Sequence, residues 1–409
     1  MITPSFGLTA TERVLPNLAL DFTTASLDPR VTFTRADNTA TVTDSIGYVV
    51  PINADLPRFD YNPITLACKG LLIEESRKNL IIQSADFETS WSDVAPSTQT
   101  KNVVMSPAGT ETGNEITSGA VGWYGVLQQL SITSSANSYS GSCYLKAGTV
   151  TSVRLRLRFT GGTTADGSAY FNLSAGTASA DGGRTATITP VGNDWYRCTV
   201  TGADNNSGNN LGQLYVLSNN QQGNWYAWGA QLELGAFATS YIPTTTTQLT
   251  RNADVAVMTG TNFSDWWQAT RGGALVRARP GTVSGTRPWV QFDDNTADNI
   301  IALRGNTTNP ELYIVDGGTP QAQIDAGTIA ANTDYSLTGW WQTNDCKARL
   351  NNGAVVTDTS ATIPTVTQTR LGSDGTNYLN GHLASISYYD TFSGQIYTRR
   401  KNKAVFNLM

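Results

Sequence analysis

The segment GAQLELGAFATSYIPTT, residues 229–245, decides how this chain is divided. Leu232 and Leu234 fall on one face of an extended chain and Gln231 and Glu233 on the other, because successive side chains of a strand point to opposite sides. The glycine and the proline that follow interrupt such a strand. The segment therefore predicts the last strand of a β-sandwich, followed by an extended linker.

The length and composition indicate several β-rich domains. A chain of 409 residues exceeds what one hydrophobic core usually serves, since domains commonly have about 50–200 residues. Charged residues make up 14% of the chain, against about 25% in an average soluble domain. Threonine, serine, asparagine and glycine are abundant instead, which is typical of β-sandwiches with long polar loops. We therefore expect an all-β protein.

Charge and hydropathy argue against nucleic-acid and membrane partners. The formal net charge is -5 and the chain has no run of Lys and Arg, whereas phosphate binding relies on clustered cations. No apolar run approaches the roughly 20 residues that a membrane-spanning helix needs. The N-terminal MITPSFGLTATERVLPNL lacks the basic start and long apolar stretch of a secretion signal. We expect synthesis in the cytoplasm, no nucleic acid and no membrane span.

Strand-like segments divide the chain into three predicted parts. Residues 1–84 contain short strands with proline turns and too little apolar surface for a domain of their own, which predicts an arm that packs on a neighbour or on a larger assembly and attaches the protein to the virion. Residues 85–247 predict a jelly-roll sandwich that ends in four consecutive threonines, as an extended connector would. Residues 248–409 predict a second sandwich with a short C-terminal helix in SGQIYTRRKNKAVF.

The sequence lacks the local patterns of common catalytic and cofactor sites. It has one histidine, His382, which excludes a two-histidine H-E-x-x-H zinc site and leaves one candidate for a Ser-His-Asp triad. The chain has no G-x-S-x-G, no G-x-G and no Gly-Lys pair. Its four cysteines are scattered, which indicates neither a metal site nor a disulfide framework. We expect no catalytic residue, no cofactor and no metal, and we expect His382 to be a structural or surface histidine.

Aromatic residues are the candidates for ligand binding, because their rings can stack on the apolar faces of sugars. Trp123 and Tyr124 lie between glycines in SGAVGWYGVLQ, which predicts a loop or a strand edge. Trp225 and Tyr226 must face opposite sides of a strand, and Trp228 shares the side of Tyr226. We take Trp123, Tyr124 and Trp225 as the candidate ligand-binding residues, and we expect at least one aromatic residue of the 225–228 set in the core.

Several segments resemble parts of tailed-bacteriophage virion proteins, such as head-fibre and tail-fibre proteins. The residues that carry the resemblance to their linker and jelly roll are WGAQLELGAFATSYIPTT, LTRNADV, SCYLKAG and DWYRCTVTG. Those that resemble the preceding N-terminal segment are LDPRVTFTRADNTATV, PRFDYNPIT and KGLLIEESRKNLI. The C-terminal ARLNNGAVV and TRLGSDGTNYLNGHLASISYYDTF resemble the last strands of a laminin-G-like or concanavalin-A-like sandwich.

The resemblance implies an N-terminal anchoring arm, then a carbohydrate-binding-like jelly roll, then a laminin-G-like sandwich. It implies a structural protein of the virion that contacts other capsid or tail proteins and forms a homo-oligomer, most plausibly a trimer. In such proteins sandwich modules attach to host glycans or decorate the particle. No catalytic motif is carried over.

Three functions are compatible with these features. The first is a non-enzymatic fibre, spike or decoration protein of head or tail that attaches to host-surface glycans. The second is a depolymerase, with carboxylates such as Asp293 and Asp294 in the C-terminal sandwich, since glycoside hydrolysis needs two carboxyl groups about 5–9.5 Å apart. The third is a cement or scaffold protein without a ligand. The missing catalytic patterns favour the first.

Overall fold

The computed structural model of the protein describes residues 15–390, and these form two β-sandwiches joined by a buried polar junction. The all-β class is confirmed, and the strand-rich segments predicted from alternation are strands. Within the described range, α1 (Thr261–Ser264) is the one α-helix, and Phe22–Thr24 form a turn of 3-10 helix. No helix of this range is long and apolar enough to cross a membrane. The helix predicted in SGQIYTRRKNKAVF lies outside the described residues.

The strands fall into three groups along the chain. Those that precede the first sandwich are β1 (Leu18–Asp21), β2 (Thr32–Thr34), β3 (Ala40–Thr43), β4 (Val49–Ile52), β5 (Phe59–Tyr61), β6 (Cys68–Ile73) and β7 (Arg77–Asn79). Those of the first sandwich are β8 (Ser92–Val94), β9 (Ser97–Val104), β10 (Gly113–Ser118), β11 (Gly125–Ser131), β12 (Ser138–Ala147), β13 (Ser152–Thr160), β14 (Ala165–Asn172), β15 (Thr177–Ala180), β16 (Thr185–Pro190), β17 (Trp195–Ala203), β18 (Leu211–Ser218) and β19 (Gly223–Leu234). The remainder are β20 (Leu249–Arg251), β21 (Val255–Thr259), β22 (Arg271–Pro280), β23 (Thr286–Asp293), β24 (Ile300–Asn306), β25 (Asn309–Asp316), β26 (Thr319–Asp325), β27 (Tyr335–Gln342), β28 (Cys346–Leu350), β29 (Val356–Asp358), β30 (Gln368–Leu371) and β31 (Gly381–Tyr389).

The first sandwich consists of two six-stranded antiparallel sheets. We call the sheet in the order β16-β17-β12-β19-β10-β9 the inner sheet, and the sheet in the order β15-β14-β13-β18-β11-β8 the outer sheet. Alternate residues of both sheets pack between them, including Leu155 and Leu157 of the outer sheet and Cys198 and Trp225 of the inner sheet, all 0% exposed. The period-two pattern of the sequence thus builds this core.

The second sandwich is assembled from both ends of the described chain. One sheet has the order β29-β28-β27-β22-β31-β6-β5, with β1 also paired to β31, and the other has the order β2-β21-β30-β23-β24-β25-β26. Leu18 lies opposite Tyr388 in the first of these sheets, and Phe33 lies opposite Ala256 in the second. All four side chains belong to one hydrophobic core.

The N-terminal segment therefore differs from the predicted arm. Within residues 15–84, the strands β1, β2, β5 and β6 complete the sheets of the second sandwich instead of forming a separate unit. The physical reason is that their pairing partners lie far along the chain, where local composition gives no sign of them. Attachment to a larger assembly through this segment stays a prediction.

Strand β19, which contains residues 229–234, is buried on both sides. Leu232 faces the core of the first sandwich and is 0% exposed, whereas Leu234 at the end of the strand is 49% exposed. Gln231 and Glu233 are also 0% exposed. They are buried because the back of the inner sheet packs against the junction and the linker, so this strand has no solvent face.

A network of buried charges holds the junction together. The Arg58 guanidinium donates hydrogen bonds to the Asp254 carboxylate and to Glu74 Oε2, the latter at 2.7 Å. Arg35 donates to Asp254 Oδ1 at 3.3 Å, and an Arg251 amino group lies 3.5 Å from Glu74 Oε2. The four side chains other than Glu74 are 0% exposed, and Glu74 is 8% exposed. An unpaired charge would be costly at this depth, so the segments that supply these residues must meet here.

The linker after the first sandwich is tied to the same network. Ser240 donates from its backbone N–H to Glu74 Oε1 at 2.9 Å and from its hydroxyl to Glu74 Oε2 at 2.6 Å. Tyr241 packs with Trp228 of the inner sheet at a ring-centroid distance of 4.8 Å. The Thr244 hydroxyl donates to the Ile81 carbonyl at 2.7 Å. The threonine-rich segment is therefore held by specific contacts and is not a loose tether.

His382 also belongs to the junction. Its Nε2 lies 2.8 Å from Asp60 Oδ2, and Lys69 forms an ion pair with the same carboxylate. Burial and the Lys69 charge lower the pKa of His382, against the opposing effect of Asp60. The four cysteines all lie in strands and are free thiols.

Replacing Asp254 by Asn tests the network. The free energy of unfolding should fall by about 3–5 kcal/mol, because removal of one partner leaves buried arginines uncompensated. Urea unfolding followed by tryptophan fluorescence measures the loss. Asp334→Asn is the matched control, since Asp334 pairs with Arg279 while 74% exposed and should contribute less than about 1 kcal/mol. Equal losses in the two variants would show that burial does not increase the contribution of the ion pairs to the free energy of unfolding.

Acid should weaken the junction through Glu74. Burial alone would raise the pKa of Glu74, but the charges of Arg251 and Arg58 and the hydrogen bonds from Ser240 hold it far below its ordinary value of 4.5. A carboxyl group with a depressed folded pKa stabilises the fold above its unfolded pKa, and this contribution is lost as the pH falls. We expect the melting temperature to decrease below about pH 4 and to depend less on pH in Glu74→Gln. Calorimetry from about pH 2 to 7 measures both slopes, and identical slopes would contradict the assignment.

Candidate functional site

The outer sheet of the first sandwich presents a row of arginines away from the core. In β13, Val153, Leu155 and Leu157 point inward and are 0% exposed. Arg154, Arg156 and Arg158 occupy the alternate positions and point outward, since the side chains of a strand alternate. We call these three residues the arginine row. The side chains of Arg156 and Arg158 are 27% and 33% exposed, whereas Arg154 is 8% exposed as a residue.

Aromatic and polar residues of the neighbouring strands flank the arginine row. Opposite Arg154, Arg156 and Arg158, strand β18 places in turn Leu217, Tyr215 and Gln213. On the other side, strand β14 places Tyr170, Ser168 and Asp166. The register therefore brings rings, amides and guanidinium groups together on one face of four strands, with Leu127 and Gln129 of β11 continuing it.

Arg156 is fixed by a carboxylate. Its Nε donates to Asp166 Oδ1 at 2.8 Å and a terminal amino group donates to Oδ2 of the same carboxylate. Burial would raise the pKa of Asp166, but the hydrogen bonds and charge of Arg156, with the nearby Arg158, keep it below its usual value. The Arg156 guanidinium also lies over the Tyr215 ring at 5.2 Å. Arg156 is thus held in place and electrically balanced.

Arg154 lies between two aromatic rings. Its guanidinium carbon is 4.5 Å from the Trp123 ring centroid and 5.6 Å from that of Tyr170. Its Nε donates to the Ser168 hydroxyl at 2.7 Å. Tyr170 is itself oriented, because its hydroxyl donates to Asp181 Oδ2 at 2.6 Å. Cation–π contacts and hydrogen bonds therefore fix the positions of the two rings and of the Arg154 guanidinium between them.

The loop that carries Trp123 is anchored to the end of β18. Ser218 donates from its hydroxyl to the Gly122 carbonyl at 2.9 Å and from its backbone N–H to the Tyr124 carbonyl at 2.8 Å. At Gly125 a Cβ atom would lie 2.2 Å from the Val216 carbonyl oxygen, so the close approach of the loop requires glycine. The Trp123 ring is 56% exposed despite these anchors, and it is available to a ligand.

Amides extend the polar part of the face. Gln213 donates from Nε2 to Gln129 Oε1 at 2.6 Å, and the Tyr215 hydroxyl donates to Gln213 Oε1 at 3.2 Å. Gln213 and Tyr215 are 8% and 7% exposed, so their positions are fixed by packing. A chain of oriented donors and acceptors beside aromatic rings is suited to ligands with many hydroxyl groups.

The three predicted ligand-binding residues have different positions. Trp123 lies on the face just described. Tyr124 is half-buried beside it, and its ring lies against Gly122. Trp225 must be corrected, because it is 0% exposed in the core between the two sheets and offers no surface to a ligand. The expected alternation holds there, since Tyr226 and Trp228 pack on the other side of β19 in the aromatic cluster with Tyr241.

The arginine row was missed at the level of sequence, although the signal was present. The letters RLRLR in SVRLRLRF place three cations at a spacing of two inside a predicted strand. That spacing puts all three on one face, opposite the leucines. What the sequence could not supply was the partners on β14 and β18, which depend on strand order and register.

The carboxylates nominated for a depolymerase each accept hydrogen bonds from neighbouring residues. Asp293 is 1% exposed and accepts hydrogen bonds from Gln291 at 2.9 Å and Arg370 at 3.0 Å. Asp294 points into the following loop, where hydrogen bonds from Thr296 and Asn299 lower its pKa. A glycosidase acid needs a raised pKa, so Asp294 lacks the environment of a proton donor. In residues 15–390 no three His, Cys, Asp or Glu side chains are grouped to hold a metal ion.

Comparison with solved structures gives partial similarities to tandem β-sandwich proteins. Domains LG4-5 of the mouse laminin alpha1 chain share 8% identity and a TM-score of 0.24, with 72% of this chain and 88% of that chain covered. The CBM22-1-CBM22-2 tandem domain of Paenibacillus barcinonensis Xyn10C shares 10% identity and a TM-score of 0.26, with 78% and 98% covered. The LG1-3 region of the laminin alpha2 chain shares 8% identity and a TM-score of 0.19, with 68% and 63% covered. No protein-family model and no curated protein sequence matches the chain.

Proposed function

We propose that this chain is a non-enzymatic structural protein of a tailed-bacteriophage virion that attaches the particle to a host-surface glycan. The observation that carries the binding role is the outer sheet, where Trp123, Tyr170 and Tyr215 share one face with the arginine row. The virion role is supported by the segments that resemble phage fibre proteins. The protein is made in the cytoplasm of the bacterial host and works in the particle as a projecting fibre, spike or decoration protein.

The chemistry of the face favours a saccharide. A sugar ring has apolar C–H faces and a rim of hydroxyl groups, so it needs aromatic surfaces together with directed hydrogen-bond partners. Trp123 supplies an exposed ring, and Arg158 and Gln129 supply partly exposed donors and acceptors on the same face. The face spans four strands, and each strand adds about 4.8 Å to its width. It is therefore wide enough to hold an extended saccharide chain.

The junction suits a protein that must hold its binding face in a fixed orientation relative to the particle. Arg58, Glu74 and Asp254 connect the N-terminal segment to the linker and to the second sandwich. The outer sheet lies on the far side of the first sandwich from these contacts. We propose that the junction side is directed toward other capsid or tail proteins, that the outer sheet is directed away from them, and that the assembly is a homotrimer.

Truncation of the exposed ring tests the binding role. On an array of bacterial surface glycans, the protein should bind a subset of saccharides, and Trp123→Ala and Tyr170→Ala should weaken binding about 5- to 10-fold, since central aromatic contacts contribute more than about 1 kcal/mol. Tyr313→Ala is the matched control, because Tyr313 also stacks under an arginine, Arg304 at 3.6 Å, but lies in the second sandwich. Retained binding in both outer-sheet variants would contradict the site.

Two further outcomes separate the alternatives. Size-exclusion chromatography of the bound polysaccharide should show no shortening after incubation, whereas shortening would favour a depolymerase. A silent array, together with particles that lose stability when the protein is deleted, would favour a cement or scaffold protein.

Electron cryomicroscopy of the intact particle tests the virion role. It should place the chain on the capsid or the tail, and density at neither would contradict that role.

A further inference from the structure

We infer that the outer sheet recognises acidic saccharides, through carboxylate groups that bind Arg154 and Arg158. This inference rests on the proposed glycan-binding function and names the chemical class of its ligand. It starts from the arginine row, whose central member is neutralised by Asp166 while its outer members have donors to spare.

The face has a local excess of positive charge. The three arginines of the row face two carboxylates, Asp166 and Asp181, which leaves a net charge of one positive unit. The whole chain has a formal net charge of -5. A positive face on an acidic protein favours an anionic ligand, and the charge is focused where side chains exclude part of the solvent.

In the arginine row, Arg158 is the member whose Nε is buried and lacks a hydrogen-bond partner within the described residues. The nearest carboxylate oxygen, Asp166 Oδ2, lies 3.8 Å from that Nε, beyond hydrogen-bond distance. The side chain is 33% exposed and its Nε is buried, so a ligand would approach the guanidinium through its two terminal amino groups. A carboxylate binds such a planar fork with two parallel hydrogen bonds, which a hydroxyl group cannot do.

Arg154 provides a second contact of a different kind. Within the described residues its hydrogen bond to Ser168 uses Nε, and its two terminal amino groups have no hydrogen-bond partner although the residue is only 8% exposed. The rings of Trp123 and Tyr170 hold the guanidinium plane and add apolar surface for a sugar ring. Residues four apart in a strand are about 13 Å apart, so a ligand that contacts both outer arginines is an oligosaccharide and not a single sugar.

A matched pair of ligands tests the inference. Alginate, polygalacturonate, hyaluronan and polysialic acid are each compared with the same polymer after its carboxyl groups have been reduced to alcohols, with dextran and mannan as neutral polymers. Affinity electrophoresis should show binding to at least one acidic polymer, with at least 10-fold weaker binding to its reduced form. Binding should also weaken as salt rises, since the ion pairs are partly exposed.

Variants of the arginine row assign the effect to residues. Arg158→Gln should weaken binding of the acidic polymer at least 10-fold and binding of the reduced polymer by much less, because the reduced polymer has no carboxylate to pair with the guanidinium. Asp166→Asn should strengthen acidic binding about threefold, because it releases Arg156 from its carboxylate. Arg277→Gln is the matched control, because it removes the same charge from an exposed strand position of the second sandwich and should have no effect. Circular dichroism verifies that each variant is folded.

The outcomes distinguish this inference from the proposed function. Equal binding of acidic and reduced polymers, or binding of neutral polymers alone, would overturn the acidic preference and leave glycan attachment intact. Unchanged acidic binding in both Arg158→Gln and Asp166→Asn would overturn the role of the arginine row. Binding to none of these polymers would overturn the acidic preference. The proposed glycan attachment would then be decided separately, by whether the protein binds any saccharide on the glycan array and whether Trp123→Ala weakens that binding.

Discussion

The fold depends on the requirement that buried charges meet partners. Three of the ions, Arg35, Arg58 and Glu74, come from the N-terminal segment. The other two, Arg251 and Asp254, follow the linker, and all five converge where solvent is excluded. None of these ions is stable alone at that depth, so each segment has one position in which its charge is paired. The two cores bury most of the apolar surface, but hydrophobic burial has little directionality. We infer that the charge network fixes how the N-terminal segment, the linker and the second sandwich are arranged.

This arrangement determines which surface is left for function. The back of the inner sheet is covered by the junction, where Trp195, Trp228 and Tyr241 pack with residues of the N-terminal segment. The outer sheet does not pack against the junction. Its outward positions carry Arg156 and Arg158, whose side chains are partly exposed. One sandwich therefore has a structural side and a side that is free to carry polar and aromatic residues. A ligand on that free side does not disturb the buried ions.

Local patterns of the sequence predicted the strands and much of the two sandwiches, but they did not predict how distant strands pair. Alternation in segments such as residues 152–159 fixes both the strand and the direction of each side chain. The place of β1 in the second sandwich could not be found in this way, because Leu18 pairs with Tyr388 across almost the whole chain. The same limit applies to the site. Trp123 was predicted from its glycine-flanked loop, but Tyr170 and Tyr215 come to the same face only through the strand order β14-β13-β18.

The division between junction and face is also present in the segments of the sequence that resemble phage proteins. The segments LTRNADV, KGLLIEESRKNLI and PRFDYNPIT contain Arg251, Asp254, Glu74 and Arg58, which are the ions of the junction. The residues of the outer face lie in other segments. Because the buried network constrains the first set and the second set points away from the core, we expect substitutions on the face to destabilise the fold less than substitutions in the junction.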